Sequence, residues 1–226
     1  MIDLPSCNKK WVWSLIFIRI PKNASTSMYY HLGNLNLIKK HEEDFQLLYN
    51  QPLYKQGIHP THAKPNEISL IFRNMVHQHV SFAIVRNPWD RIVSFYQSIM
   101  QNLKEQELER LCNLYKINFN LKSSFNDFCE IIMDKYEKKQ EISLINHDQC
   151  SWLEGMFEPN FILSFENLKE DFAKMLDICN IKHIDKNIPH ENSTKRKPYQ
   201  EYYNDQSIKI IEKIFERDID KFKYSY

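Results

Sequence analysis

The sequence predicts an α/β fold, a parallel sheet with helices on both faces. Three observations carry that reading. Short apolar runs at 13–20, 81–85 and 160–164 have the length and composition of strands buried on both sides. Each is followed by a segment whose apolar residues recur at helical spacing. No internal repeat, low-complexity tract or Gly/Ser linker divides the chain, so 1–226 reads as a single domain.

The elements follow in order. After the first run comes a Pro-Lys turn, then a helix with Met28, Tyr29 and Leu32 on one face and Gly33 as its stop. After the second run, Trp89, Ile92, Val93, Tyr96 and Met100 share a face. After the third, Leu168, Phe172, Met175, Leu176 and Cys179 do so. Helices without preceding strands are expected over 101–116 (Leu108, Leu111, Cys112, Tyr115) and 124–138 (Phe125, Phe128, Ile132, Tyr136). A last one is expected over 206–217 (Ile208, Ile211, Phe215). Sheets of this kind bind ligands beyond the C-terminal ends of their strands, which directs attention to 21–27 and 86–94.

Composition narrows the function. The chain carries 30 Lys and Arg against 29 Asp and Glu, a formal charge of +1. No global basic field points to nucleic acid, and any anion site has to be local. The five cysteines (Cys7, Cys112, Cys129, Cys150, Cys179) are odd in number and widely spaced. That argues against a disulfide framework or zinc ribbon and for a reducing compartment. No apolar run is long enough to span a membrane. "KKWVWSLIFIRI" has the look of a signal peptide, but Arg19 interrupts it and no good cleavage site follows. The expectation is a cytoplasmic protein with neither nucleic acid nor an integral membrane contact as partner. His77 and His79 would share a face if extended, but no acidic or cysteine cluster completes a site, so no metal is expected.

"IPKNASTS" joins a strand to a helix start, where unpaired N–H groups and the dipole attract anions. Lys22 offers a point charge, and Ser25, Thr26 and Ser27 offer hydroxyls. The segment has no glycine and its lysine precedes the hydroxyls, so it is not a Walker loop. Two readings stand open for it alone: an anion loop, or a helix capped by Ser or Thr with Lys22 in solvent. "SFAIVRNPWDRIVSFY" adds Arg86 at a strand end, with Asn87 as cap, Pro88 in the first turn and Asp90 as capping-box partner. Asp90, Arg91 and Ser94 fall on the face opposite the apolar stripe. Arg86 and Ser94 can then converge on one phosphate, against the alternative of an Arg86–Asp90 salt bridge.

Together, "IPKNASTS" and "FAIVRNPWDRIVSFY" resemble the two cofactor motifs of sulfotransferases, most closely the carbohydrate-type branch. The resemblance implies a P-loop-like fold with a central parallel sheet and 3′-phosphoadenosine 5′-phosphosulfate as donor. It implies that Lys22, Asn23, Ala24, Ser25, Thr26 and Ser27 form the 5′-phosphosulfate site. Arg86 and Ser94 would form the 3′-phosphate site, and Arg196 or Lys197, in "STKRKPY", would reach that phosphate or close over the nucleotide. Family members often carry glycine where Ala24 or Ser25 stands. "QCSWL" at 149–153 is similar to a segment near the family's acceptor region. Golgi relatives usually carry a membrane anchor, so the Golgi lumen is expected only of a trimmed chain.

Sulfuryl transfer to a hydroxyl needs a base, and histidine suits that role near neutral pH. His59 and His62 lie between the two motifs, and "HAKPNEI" fits the family pattern better, which favours His62 over His59. Lys22 would stabilise charge at the bridging oxygen. His147-Asp148 reads as a dyad or as a solvated turn. Asn23-Ala24-Ser25 and Asn192-Ser193-Thr194 match the glycosylation pattern, and a glycan on Asn23 would block the loop. The expected function is sulfuryl transfer to a hydroxyl acceptor, with a carbohydrate the favoured class. A phosphoryl-transfer enzyme with a variant loop and a non-catalytic binder of nucleotide or glycan are the alternatives.

Overall fold

The computed structural model describes residues 14–49, 62–102, 106, 108–109, 112, 119–120, 122–140, 148–188 and 196–226. Three strands form one sheet: β1 (Leu15–Ile18), β2 (Val80–Val85) and β3 (Phe161–Ser164). Their order is β1-β2-β3 and both pairings are parallel. Leu15 lies opposite Val80 and Ile18 opposite Ala83, while Val85 meets Ser164. This register brings the C-terminal ends of β1 and β2 to the same edge.

The helices are α1 (Ser25–Leu32), α2 (Leu37–Lys40), α3 (Glu42–Tyr49), α4 (Pro65–Phe72), α5 (Pro88–Asn102), α6 (Phe125–Glu137), α7 (Leu168–Ile178), α8 (Asp205–Ile214) and α9 (Glu216–Phe222). They divide between two compact units. One lies within 1–86 and 149–192 and contains the sheet; the other lies within 87–148 and 193–226.

In the first unit, Leu15, Phe17, Phe82, Ile84, Phe161 and Leu163 share a core with Met28 of α1 and with Phe172 and Met175 of α7. Phe17 and Phe82 stack with ring centroids 4.8 Å apart. The alternate residues Ile16, Ile18, Ala83 and Val85 are also buried. Burial on both faces is why these strands are continuous apolar runs rather than alternating ones. The second unit is helical, its core built from Trp89, Ile92, Phe125, Phe128, Ile211 and Phe215.

The three strand-then-helix units stand as expected, and so does the helix near 124–138. Most of the helix expected over 101–116 lies outside the described residues. The last helix is two: α8 ends at Ile214, and Phe215, whose φ is −113°, breaks the helical run before α9 begins. Arg91 departs from the solvent face expected of it. It is fully buried, with its guanidinium 5.8 Å from the Phe215 ring centroid. Among the described residues, no helix is long and apolar enough to cross a membrane.

Candidate active site

The β1–α1 loop is built without glycine yet bends as a glycine loop does. Lys22 has φ of 69° and Ala24 has φ of 53°, both left-handed, with Asn23 between them. Alternation of this kind turns successive N–H groups inward and forms an anion-binding concavity. Ala24, not a serine or threonine, is the N-cap of α1, and no side chain caps the helix. No acid lies in its first turn. The capped-helix reading therefore fails here: Ser25, Thr26 and Ser27 sit inside the helix start, which is left electropositive. A left-handed alanine is strained by roughly 1–2 kcal/mol. Ala24→Gly is accordingly expected to stabilise the fold by up to about 1 kcal/mol, since glycine's extra unfolded-state entropy offsets part of the relief. Urea denaturation of the two proteins measures it.

Arg86 follows directly on β2 and is buried. Its Nη1 donates to the Lys22 carbonyl at 2.8 Å, and its guanidinium lies 3.9 Å from the centroid of the Phe165 ring. Two cationic residues thus meet at the C-terminal ends of neighbouring strands. Burial first, and the Arg86 charge second, bring the Lys22 amine down to about 8. Both causes disfavour the charged form, and an anion bound there would reverse them.

The Asn23 amide nitrogen is engaged within the sheet-bearing unit. Its Nδ2 donates to the Ile84 carbonyl at 2.7 Å and to Gln149 Oε1 at 2.6 Å, and the residue is fully buried. Its side chain holds the loop down, and the Asn23 glycosylation pattern is shielded in the folded chain. Gln149 also engages the Arg86 backbone: Oε1 accepts from Arg86 N–H at 2.9 Å, and Nε2 donates to Arg86 C=O at 2.8 Å. The sequence reading missed this role. "QCSWL" marked the segment, but nothing local shows that Gln149 reaches back to Arg86 and Asn23.

His62 Nδ1 lies 2.8 Å from the Arg19 carbonyl oxygen, just past the end of β1. A carbonyl only accepts, so Nδ1 carries the proton and Nε2 of the neutral ring is the basic nitrogen. The Trp152 ring packs edgewise on the imidazole at 6.2 Å, and the Lys64 amine sits 5.0 Å from the Trp152 ring centroid. His62, Lys22 and Arg86 all belong to the sheet-bearing unit. His59 lies outside the described residues.

The remaining candidates belong to the second unit. Asn87 caps α5 as expected, its Oδ1 accepting from Trp89 N–H at 3.0 Å and Asp90 N–H at 3.3 Å. Ser94 is half-buried on α5. Asp90 pairs with Arg196, and both side chains are largely buried. Lys197 is exposed and lies 3.4 Å from Glu201. Asp148 accepts from Arg217 at 3.0 Å, while its neighbour His147 lies outside the described residues. Among the described residues, no group of His, Cys, Asp and Glu could hold a metal.

A model described as the sulfotransferase family matches residues 12–225. No curated protein matches significantly.

Proposed function

Because this chain belongs to the sulfotransferase family, we propose that it moves a sulfuryl group from 3′-phosphoadenosine 5′-phosphosulfate to a hydroxyl of a carbohydrate, with His62 as base. The observation that carries the donor assignment is the meeting of Lys22 and Arg86 at one strand edge, beside a left-handed loop and an uncapped helix start. That chemistry suits a phosphate-linked anion.

In this reading the backbone of 22–27 and the hydroxyls of Ser25, Thr26 and Ser27 hold the 5′-phosphosulfate. The motif resemblance adds Arg86, Ser94 and Arg196 or Lys197 for the 3′-phosphate. His62 Nε2 takes the acceptor's hydroxyl proton. The freed oxygen bonds to sulfur in line as the sulfur–oxygen bond to the 5′-phosphate breaks. Lys22 neutralises the charge that appears on the departing phosphate oxygen. Holding donor and acceptor in line supplies much of the remaining acceleration.

Calorimetric titration with 3′-phosphoadenosine 5′-phosphate tests the donor assignment. Saturable binding at one site per chain is expected. Absence of heat, combined with magnesium-dependent ATP turnover, would replace this reading with phosphoryl transfer. Transfer of labelled sulfate to a panel of glycans, lipids and phenols tests the acceptor class, and label on glycans is expected.

A further inference from the structure

We infer that Gln149 is a positioning residue that locks the Lys22 loop to Arg86, an inference that rests on the donor reading above. Gln149 is fully buried and its amide is used at both ends. Oε1 accepts from Arg86 N–H at 2.9 Å and from Asn23 Nδ2 at 2.6 Å. Nε2 donates to Arg86 C=O at 2.8 Å. The Arg86 guanidinium in turn donates to the Lys22 carbonyl at 2.8 Å. Lys22 is bonded to Asn23 through the chain, so these contacts close a ring. Gln149 to Arg86, Arg86 to Lys22, Lys22 to Asn23, and Asn23 back to Gln149 form one circuit. It ties the β1 exit to the β2 exit, beyond the last paired residues Ile18 and Ala83.

The chemistry of the circuit selects glutamine. One atom has to accept twice while its neighbour donates, which an amide does and a carboxylate does not. Leucine fills similar space but leaves the Arg86 N–H and C=O buried without these partners, a costly state. Ionised glutamate sets an oxygen against the Arg86 carbonyl oxygen. Protonated glutamate restores the pattern, because its O–H donates where Nε2 did. Gln149 touches no reacting atom in this reading. It acts through the placement of Lys22 and Arg86.

The test compares wild type, Gln149→Leu and Gln149→Glu by calorimetric titration with 3′-phosphoadenosine 5′-phosphate at pH 7.5 and pH 5. Thermal melts accompany each protein. Gln149→Leu is expected to weaken binding about tenfold or more at both pH values. Gln149→Glu is expected to bind as weakly at pH 7.5 and to recover most of the loss, relative to wild type at the same pH, at pH 5. A folded Gln149→Leu that binds within twofold of wild type overturns the inference. Should Gln149→Leu fail to fold, a Gln149→Glu deficit equal at both pH values overturns it.

Hydrogen exchange without nucleotide separates this from failure of the donor reading. Gln149→Glu at pH 7.5 is expected to speed exchange at Ala24 and Arg86, relative to its own β2 core, far more than at pH 5. Unchanged exchange at those amides overturns the inference even if wild type binds no nucleotide, an outcome that by itself removes only the donor reading.

Discussion

Lys22→Met is expected to lower kcat by roughly 10²–10³-fold, the size of effect seen when one preorganised charge-stabilising group is lost. The fold is expected to survive, because the replacement keeps the stem and removes only the amine. Labelled-sulfate transfer measures the rate, and a loss smaller than threefold would remove Lys22 from the chemistry. Lys22→Arg is not expected to restore the rate, since a planar fork does not reproduce a point charge on a flexible stem. A pH dependence accompanies the variant. The Lys22 amine is lowered from 10.5 to about 8 by burial and by Arg86. Its folded pKa lies below its unfolded one, so between about 8 and 10.5 the unfolded chain binds more protons. Stability from this group therefore rises with pH across that window. Ligand binding runs the other way. An anion needs the charged amine, so affinity for 3′-phosphoadenosine 5′-phosphate is expected to fall as pH rises through about 8. Binding just above that pH is expected to take up a proton, seen as heats that differ between buffers of different ionisation enthalpy. Lys22→Met is expected to lose both signatures, and a wild-type affinity flat from neutral to alkaline pH would contradict the assignment.

The parts of the fold that could be read from sequence are those whose burial leaves a local trace. β1 and β2 are apolar runs because both faces of each are covered, while β3 is buried on one face and half-buried on the other. α1, α5 and α7 carry one-sided apolar patterns because their apolar residues face a core, although on α5 the opposite residue Arg91 is buried as well. α2, α3 and α4 left no such trace. α2 has only four residues, too short for periodicity to separate helix from loop, while α3 and α4, as long as α1, follow no strand-like apolar run that would mark them. The site divides in the same way. Lys22, Arg86 and His62 were legible as residue types at particular spacings between a strand and a helix. The left-handed turn at Ala24 was not, because alanine gives no warning of positive φ. Gln149 was not legible either. Its partners lie 63 and 126 residues away, and hydrogen bonding between segments that distant follows from the register of β1 on β2, not from any local pattern.

His62→Ala is expected to lower kcat by roughly 10²–10⁴-fold while leaving affinity for 3′-phosphoadenosine 5′-phosphate within about twofold. That split separates a base from a nucleotide ligand. Lys22 acts on the donor, so its loss is expected to disturb binding and its pH dependence as well as rate. His62 acts on the acceptor, so its loss is expected to show in turnover alone. The tautomer supplies a second discriminator. With Nδ1–H given to the Arg19 carbonyl at 2.8 Å, only Nε2 can take a proton, and a ring already protonated there is inactive. His62→Gln keeps a donor for the Arg19 carbonyl but supplies no base, so it is expected to be as slow as His62→Ala. Recovery of the rate in His62→Gln would show that the imidazole serves only to hold the loop through Arg19. The base would then have to be sought elsewhere, with His59 the first residue to replace.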